Sequence, residues 1–87
     1  MLRLSRWVDG DVEILSLEGK LLAPWHAVLL DELRAEPHKR RIGQLHLANL
    51  TFVDAGGAEL LRTLQREGIE LIGASAFIRA LIDQGIR

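Results

Sequence analysis

Cysteine is absent from these 87 residues, which excludes a disulfide framework and any thiolate metal site. Proline occurs only twice and 48% of the residues are hydrophobic, so the chain lacks the composition of a disordered segment. Neither charge is in surplus, since 11 Lys and Arg face 12 Asp and Glu for a formal net charge of −1. General nucleic-acid and anionic-membrane binders carry a basic excess, so no nucleic-acid partner is expected. No apolar run approaches the roughly 18 residues of a membrane span. The opening Met1-Leu2-Arg3-Leu4-Ser5-Arg6 also lacks the apolar core of a secretory signal. The expectation is a cytoplasmic protein with no direct membrane insertion.

Catalytic patterns are equally scarce. No two of the histidines, His26, His38 and His46, stand at the i, i+4 spacing of a helical metal site, and no Gly-rich phosphate loop with a lysine occurs. No metal, no cofactor and no enzymatic activity are expected. Repeats, linkers and low-complexity stretches are missing too, so residues 1–87 read as one domain. A domain this short buries only about 60–65% of its unfolded surface, which commits nearly every apolar residue to the core.

The remaining pattern is α/β. Leu2 and Leu4 alternate with Arg3 and Ser5 as in a half-buried strand, and Asp9-Gly10 followed by the apolar Val12–Leu17 suggests a hairpin. Gly19 is expected to end the second strand. Pro24 suits a helix first turn, and Trp25, Val28, Leu29 and Leu33 form one helical stripe with His26 off it. Pro37 stops that helix. The basic run His38-Lys39-Arg40-Arg41 follows a helix C-terminus, where cations are favoured, and reads as a solvated loop. Gln44–Ala48 is a third strand, with Leu50, Phe52 and Val53 in the loop after it. A second helix starts after Asp54 and reaches Glu67, burying Leu60, Leu61 and Leu64, and Gly68 stops it. Ile69–Ile72 is a short strand. Ser75 caps a last helix carrying Phe77, Ile78, Leu81 and Ile82, and the tail from Asp83 to Arg87 is expected to fray. Trp25 reads as a core residue and Trp7 as an exposed one. Strands alternating with helices imply βαβ units. The expected fold is therefore a small mixed, mostly parallel sheet of about four strands with three helices mainly on one face.

The densest information lies in Leu47-Ala48-Asn49-Leu50-Thr51-Phe52-Val53-Asp54-Ala55-Gly56-Gly57. Asp54 can cap the second helix by accepting the N–H of Gly56 or Gly57, and its charge suits the positive helix end. The glycine pair is harder to explain, because each glycine in a helix costs about 1 kcal/mol relative to alanine. Two causes remain: a neighbouring backbone inside the domain packs on the turn, or an outside partner approaches it closely.

This stretch resembles the signature of STAS domains of the anti-sigma-factor antagonist type. Leu45 to Asp54, two small residues and Gly57 carry the likeness, with Gly19-Lys20-Leu21-Leu22-Ala23-Pro24 upstream and Leu71-Ile72-Gly73-Ala74-Ser75 downstream. The resemblance spans most of the chain, from about Asp9 to Ile82, and implies the STAS-like version of the fold. In that family two hydroxyl residues and a glycine usually follow the aspartate, and a partner kinase phosphorylates the second hydroxyl. Here Asp54 matches the aspartate, Ala55 the first hydroxyl residue, Gly56 the phosphoacceptor and Gly57 the glycine. Neither Ala55 nor Gly56 has an oxygen to modify. His46 stands where many relatives carry an aspartate, and Asn49 where they carry a glycine. His46 introduces a group that titrates near neutrality, although a satisfied histidine at a strand end is the ordinary reading. Thr51 has a hydroxyl near the turn and reads as a loop threonine bonded to its own backbone, while Thr63 and Ser75 are no better as substitutes.

Three functions follow for comparison. The resemblance implies a protein-interaction module in which Asp54, Ala55, Gly56 and Gly57, with the helix residues Glu59, Arg62, Thr63 and Arg66, contact an anti-sigma factor or kinase-fold regulator. Its alternative is a cytoplasmic STAS subunit seated on the ATPase of an ABC-type lipid or solute transport complex. An enzyme would need converging acid and base, and His46 with Asp54 is the pair best placed to meet, with incidental neighbours the preferred reading.

Overall fold

The computed structural model describes residues 1–34 and 42–84. Among these the elements run β1 (Leu2–Asp9), β2 (Val12–Leu21), α1 (Trp25–Arg34), β3 (Ile42–Val53), α2 (Ala55–Arg66), β4 (Glu70–Ile72) and α3 (Ala76–Gln84). They build a four-stranded sheet in the order β1-β2-β3-β4. β1 pairs antiparallel with β2, while β2 with β3 and β3 with β4 are parallel. The expected helix stop at Pro37 and the basic run His38–Arg41 lie outside the described residues, as do the last three residues of the expected frayed tail; Asp83 and Gln84 belong to α3.

The β1–β2 hairpin closes at the Asp9–Val12 pair, with Gly10 at φ 64° in the two-residue turn. That left-handed conformation is what glycine supplies without penalty. Alternation then sorts the sheet's side chains into two faces. Leu15, Leu45 and Leu71 stand in register across three strands and are buried. They join one core cluster with Leu29 of α1, Leu61 and Leu64 of α2, and Ile78 and Ile82 of α3. All three helices thus bury their apolar positions against the same sheet face. Trp7, Ile14, Gln44 and His46 lie at the intervening positions, outside that cluster. Arg6 fastens α1 to the hairpin, reaching Glu13 at 2.8 Å and both the carboxylate and the carbonyl of Glu32 at 2.8 Å. The Glu13 carboxylate is nearly inaccessible, and a charge so placed needs such a partner.

Several expectations need correction. Gly19 does not end β2, which continues to Leu21 and pairs with Leu50, Phe52 and Val53 as part of β3 rather than a loop. The pairing register shifts between Ser16 and Glu18 and again between Gly19 and Lys20, and bulges of this kind break period-two burial. Buried positions in β3 accordingly fall at Ile42, Leu45, Leu47, Leu50 and Val53. Gly19 sits in the bulged stretch at φ 106°, where a Cβ would collide with the Met1 carbonyl. In α1, Leu29 is buried and Trp25 and Leu33 are partly so, but Val28 is 42% exposed. Leu60 is only partly buried. Phe77 is 55% exposed and lies beside Phe52.

The helix termini follow their local chemistry. Gly68 at φ 103° ends α2, with its N–H on the Gln65 carbonyl and that of Ile69 on Leu64, the paired bonds of a Schellman motif. The Ser75 hydroxyl accepts the Ile78 N–H at 3.1 Å and caps α3. No helix among the described residues is long and apolar enough to cross a membrane.

Candidate functional site

β3 ends where α2 begins, and Asp54 occupies the junction in an extended conformation, φ −83° and ψ 179°. Its Oδ1 accepts the Gly57 N–H at 2.7 Å, the capping bond that the spacing allows. Its Oδ2 accepts the Ala23 N–H at 3.0 Å, and its own N–H donates to the Leu21 carbonyl at 3.1 Å. His26, on the first turn of α1, brings Nε2 to 2.8 Å from Oδ1. A carboxylate can only accept, so Nε2 carries the proton in this contact. One side chain therefore ties together the segment after β2, the start of α1 and the start of α2. Partial burial opposes ionisation of Asp54, but the N–H groups of Ala23 and Gly57 and the His26 imidazole outweigh it and hold the carboxyl below its usual range.

The glycine pair has its cause inside the domain. A Cβ on Gly56 would lie 2.7 Å from His26 Cε1 and 3.3 Å from Nδ1, so the imidazole occupies the space a side chain there would need. A Cβ on Gly57 would lie 2.8 Å from the Leu21 carbonyl oxygen. Gly57 is buried, whereas Ala55 and Gly56 remain exposed. The accessible part of the turn is thus Ala55 and Gly56, edged by the partly exposed Asp54.

The other expected residues scatter. Arg62 is corrected from an exposed to a buried position: it is 9% exposed, donates to the Ile82 carbonyl at 2.6 Å and also bonds Glu59. A guanidinium this enclosed needs such acceptors, and Ile82 at the end of α3 provides one. Glu59 and Arg66 are exposed and Thr63 is partly buried, with its hydroxyl 3.4 Å from Arg66. His46 does not meet Asp54. It bonds Gln44 at 3.2 Å and stands edge-on to Trp7, ring centres 5.2 Å apart, on the opposite sheet face. Thr51 belongs to β3 and donates to the Gly19 carbonyl at 2.9 Å, not to its own backbone.

Sequence reasoning missed His26 as the partner of Asp54 and placed Phe52 in a loop. Both residues border an open cleft or the turn itself. The cleft holds about 460 Å³ and is lined by Phe52, Val53, Asp54 and Ala55 at the β3–α2 junction, by Ala58 and Arg62 of α2, and by Leu81 of α3. Phe77 extends this apolar surface, its ring centre 6.3 Å from that of Phe52. Among the described residues no three His, Cys, Asp or Glu are grouped as metal ligands. The site offers shape, apolar surface and one fixed imidazole–carboxylate pair. Neither the family models nor the curated proteins contain a match to this chain.

Proposed function

We propose that the chain is a non-catalytic interaction module of the STAS, anti-sigma-factor antagonist type, docking a regulator or kinase-fold protein through the start of α2. The observation that carries this reading is the exposed, side-chain-poor Ala55–Gly56 step beside an open apolar cleft, held in place by an aspartate whose bonds all point back into the domain. A bare turn on a fixed backbone suits close approach by another protein. The order of hairpin, α1, β3, α2, β4 and α3 supports the same reading, as does an aspartate at the β3–α2 junction. Glu59 and Arg66 extend the contact along α2.

With Ala55 and Gly56 in place of hydroxyl residues, binding is constitutive or set by competition, because no phosphate can add its charge to this helix start. Incubation with a cognate kinase and ATP should leave the Asp54–Gly57 peptide unmodified in mass spectra. Affinity purification from the native host supplies the direct test. Ala55→Arg projects bulk from the exposed turn, and Trp7→Ser alters the opposite sheet face. The reading requires that one defined regulator be captured by the wild type and by Trp7→Ser, and be lost with folded Ala55→Arg. The reverse pattern refutes it, and recovery of a transport ATPase subunit through Ala55 would assign the same surface to a transport complex.

A further inference from the structure

We infer that two copies of this chain associate edge to edge through β1, antiparallel, with Arg3 of each copy opposite Asp9 of the other. This goes beyond the docking role, which uses the start of α2. In the order β1-β2-β3-β4 β1 is an edge strand, and its register with β2 runs without a shift from Leu2–Gly19 to Asp9–Val12. The Lys20 N–H donates to the Met1 carbonyl at 3.1 Å, so Met1 turns its carbonyl towards β2. Alternation along an antiparallel ladder gives Arg3, Ser5, Trp7 and Asp9 the same direction and aims the N–H and C=O groups of Leu4, Arg6 and Val8 outward. Among the described residues no segment bonds to these outward groups. β1 also has none of the proline, lysine or bulges that natural edges use against pairing. The other edge, β4, has only three residues.

Symmetry and charge select the register. Identical strands related by a twofold axis pair with residue i facing j and j facing i. The outward groups meet only when even-numbered residues face even-numbered ones. Of the registers this allows, the one centred on Arg6 sets Leu4 against Val8 and Arg3 against Asp9 of the second copy. Arg3 and Asp9 are exposed, and neither forms an ion pair within its own chain, although Glu18 faces Arg3 from β2. Opposite charges facing each other across strands stabilise the pairing. Leu4, packed on the core, and Val8, 49% exposed, meet on the helix-bearing face. Arg6 meets its own copy at the axis, where like charges would repel. Glu13 of β2 and Glu32 of α1 hold each Arg6 guanidinium at 2.8 Å and offset that charge. A slip to the next allowed register puts Arg3 against Trp7, or Ser5 against Asp9, and loses the complementarity.

The test uses the full chain in sedimentation equilibrium from micromolar to millimolar concentration. The inference requires a monomer–dimer equilibrium within that range. Hydrogen exchange at the Leu4, Arg6 and Val8 amides should slow as the dimer forms, while the Ser5 and Trp7 amides, already bonded to β2, keep their protection. Arg3→Glu should weaken association roughly tenfold, the worth of about two exposed ion pairs, because acidic groups then face each other at both ends. Asp9→Lys should weaken it similarly, and a one-to-one mixture of the two folded variants should regain the wild-type affinity as a heterodimer. Asp9→Asn, which keeps a turn-forming side chain, should weaken the dimer in the same direction even if Asp9→Lys disturbs the hairpin. A monomer at millimolar concentration, an Arg3→Glu protein that associates like the wild type, or a mixture no tighter than either variant alone would each overturn the inference. So would concentration-dependent amide shifts centred on Ala55 and Leu81, which place self-association on the helix side. Partner capture by the wild type and its loss in Ala55→Arg judge the docking role separately from all of these results.

Discussion

His26 Nε2 lies 2.8 Å from Asp54 Oδ1 across 28 residues of sequence, and the same imidazole stands where a side chain at Gly56 would go. The histidine therefore both completes the bonding of the capping aspartate and requires glycine on the next turn.

This linkage predicts a change of sign in a double-mutant cycle. In the wild type, Gly56→Ala forces the His26 ring aside and costs about 1 kcal/mol, the order of one partly exposed hydrogen bond. With His26→Ala already present nothing obstructs the methyl group, and the alanine gains its helix preference of about 0.5–1 kcal/mol. Urea unfolding of the four proteins measures the coupling, and an effect of Gly56→Ala independent of residue 26 would disprove the steric link.

Gly57 should be far less tolerant. Its hypothetical Cβ meets the Leu21 carbonyl at 2.8 Å, and backbone yields less readily than a side-chain ring. Gly57→Ala is expected to cost about 1–3 kcal/mol, as overpacking does. Thermal or urea unfolding that ranks it no worse than Gly56→Ala would contradict this.

Asp54 sets a pH dependence. Its folded-state carboxyl titrates below its usual range, so the unfolded chain binds more protons as pH falls through the window between the two values. The contribution of Asp54 is complete above the unfolded value and disappears as pH drops through the lowered folded one. Asp54→Asn should flatten that acid limb and, at neutral pH, cost about 1 kcal/mol, because the amide keeps an oxygen for Gly57 but has no second acceptor for the Ala23 N–H. Unfolding curves from pH 3 to 7 check both, and an unchanged acid limb in the variant would rule the assignment out.

Arg62 is structural on the inner side of α2. Arg62→Ala leaves the Ile82 carbonyl without its donor and should destabilise by about 2–3 kcal/mol. Arg62→Met keeps the apolar stem and should lose less. Equal losses in chemical denaturation would show that the bond to Ile82, which both variants lack, and not the packing of the stem, is what matters.

Much of the fold was legible in the sequence because local chemistry and periodicity agreed. Asp9-Gly10, Asp54, Gly68 and Ser75 each marked an end through bonds to nearby backbone, and Leu45, Leu47, Leu61 and Leu64 kept strand or helix spacing. The end of β2 was illegible because bulges around Gly19 destroy alternation, which also hid Leu50–Val53 as strand. At the site, Asp54 was readable as a cap, but its imidazole partner comes from another helix and leaves no local pattern. His46 was adjacent in sequence to the same segment yet points to the other face, since one position along a strand reverses a side chain. Arg62 looked exposed because helical periodicity does not record that a guanidinium can turn inward to a carbonyl of α3.

Because the chain has no cysteine, Ala55→Cys places one thiol on the exposed first turn of α2, and Ser5→Cys places one on the exposed part of β1. Alkylation rates of each, with and without the purified partner, test the docking surface directly. Partner binding should protect the thiol at position 55 at least tenfold, on the order of a site closed for nine-tenths of the time, and leave position 5 reactive. Protection at position 5 with full reactivity at position 55 would contradict the assignment of the α2 start as the contact surface.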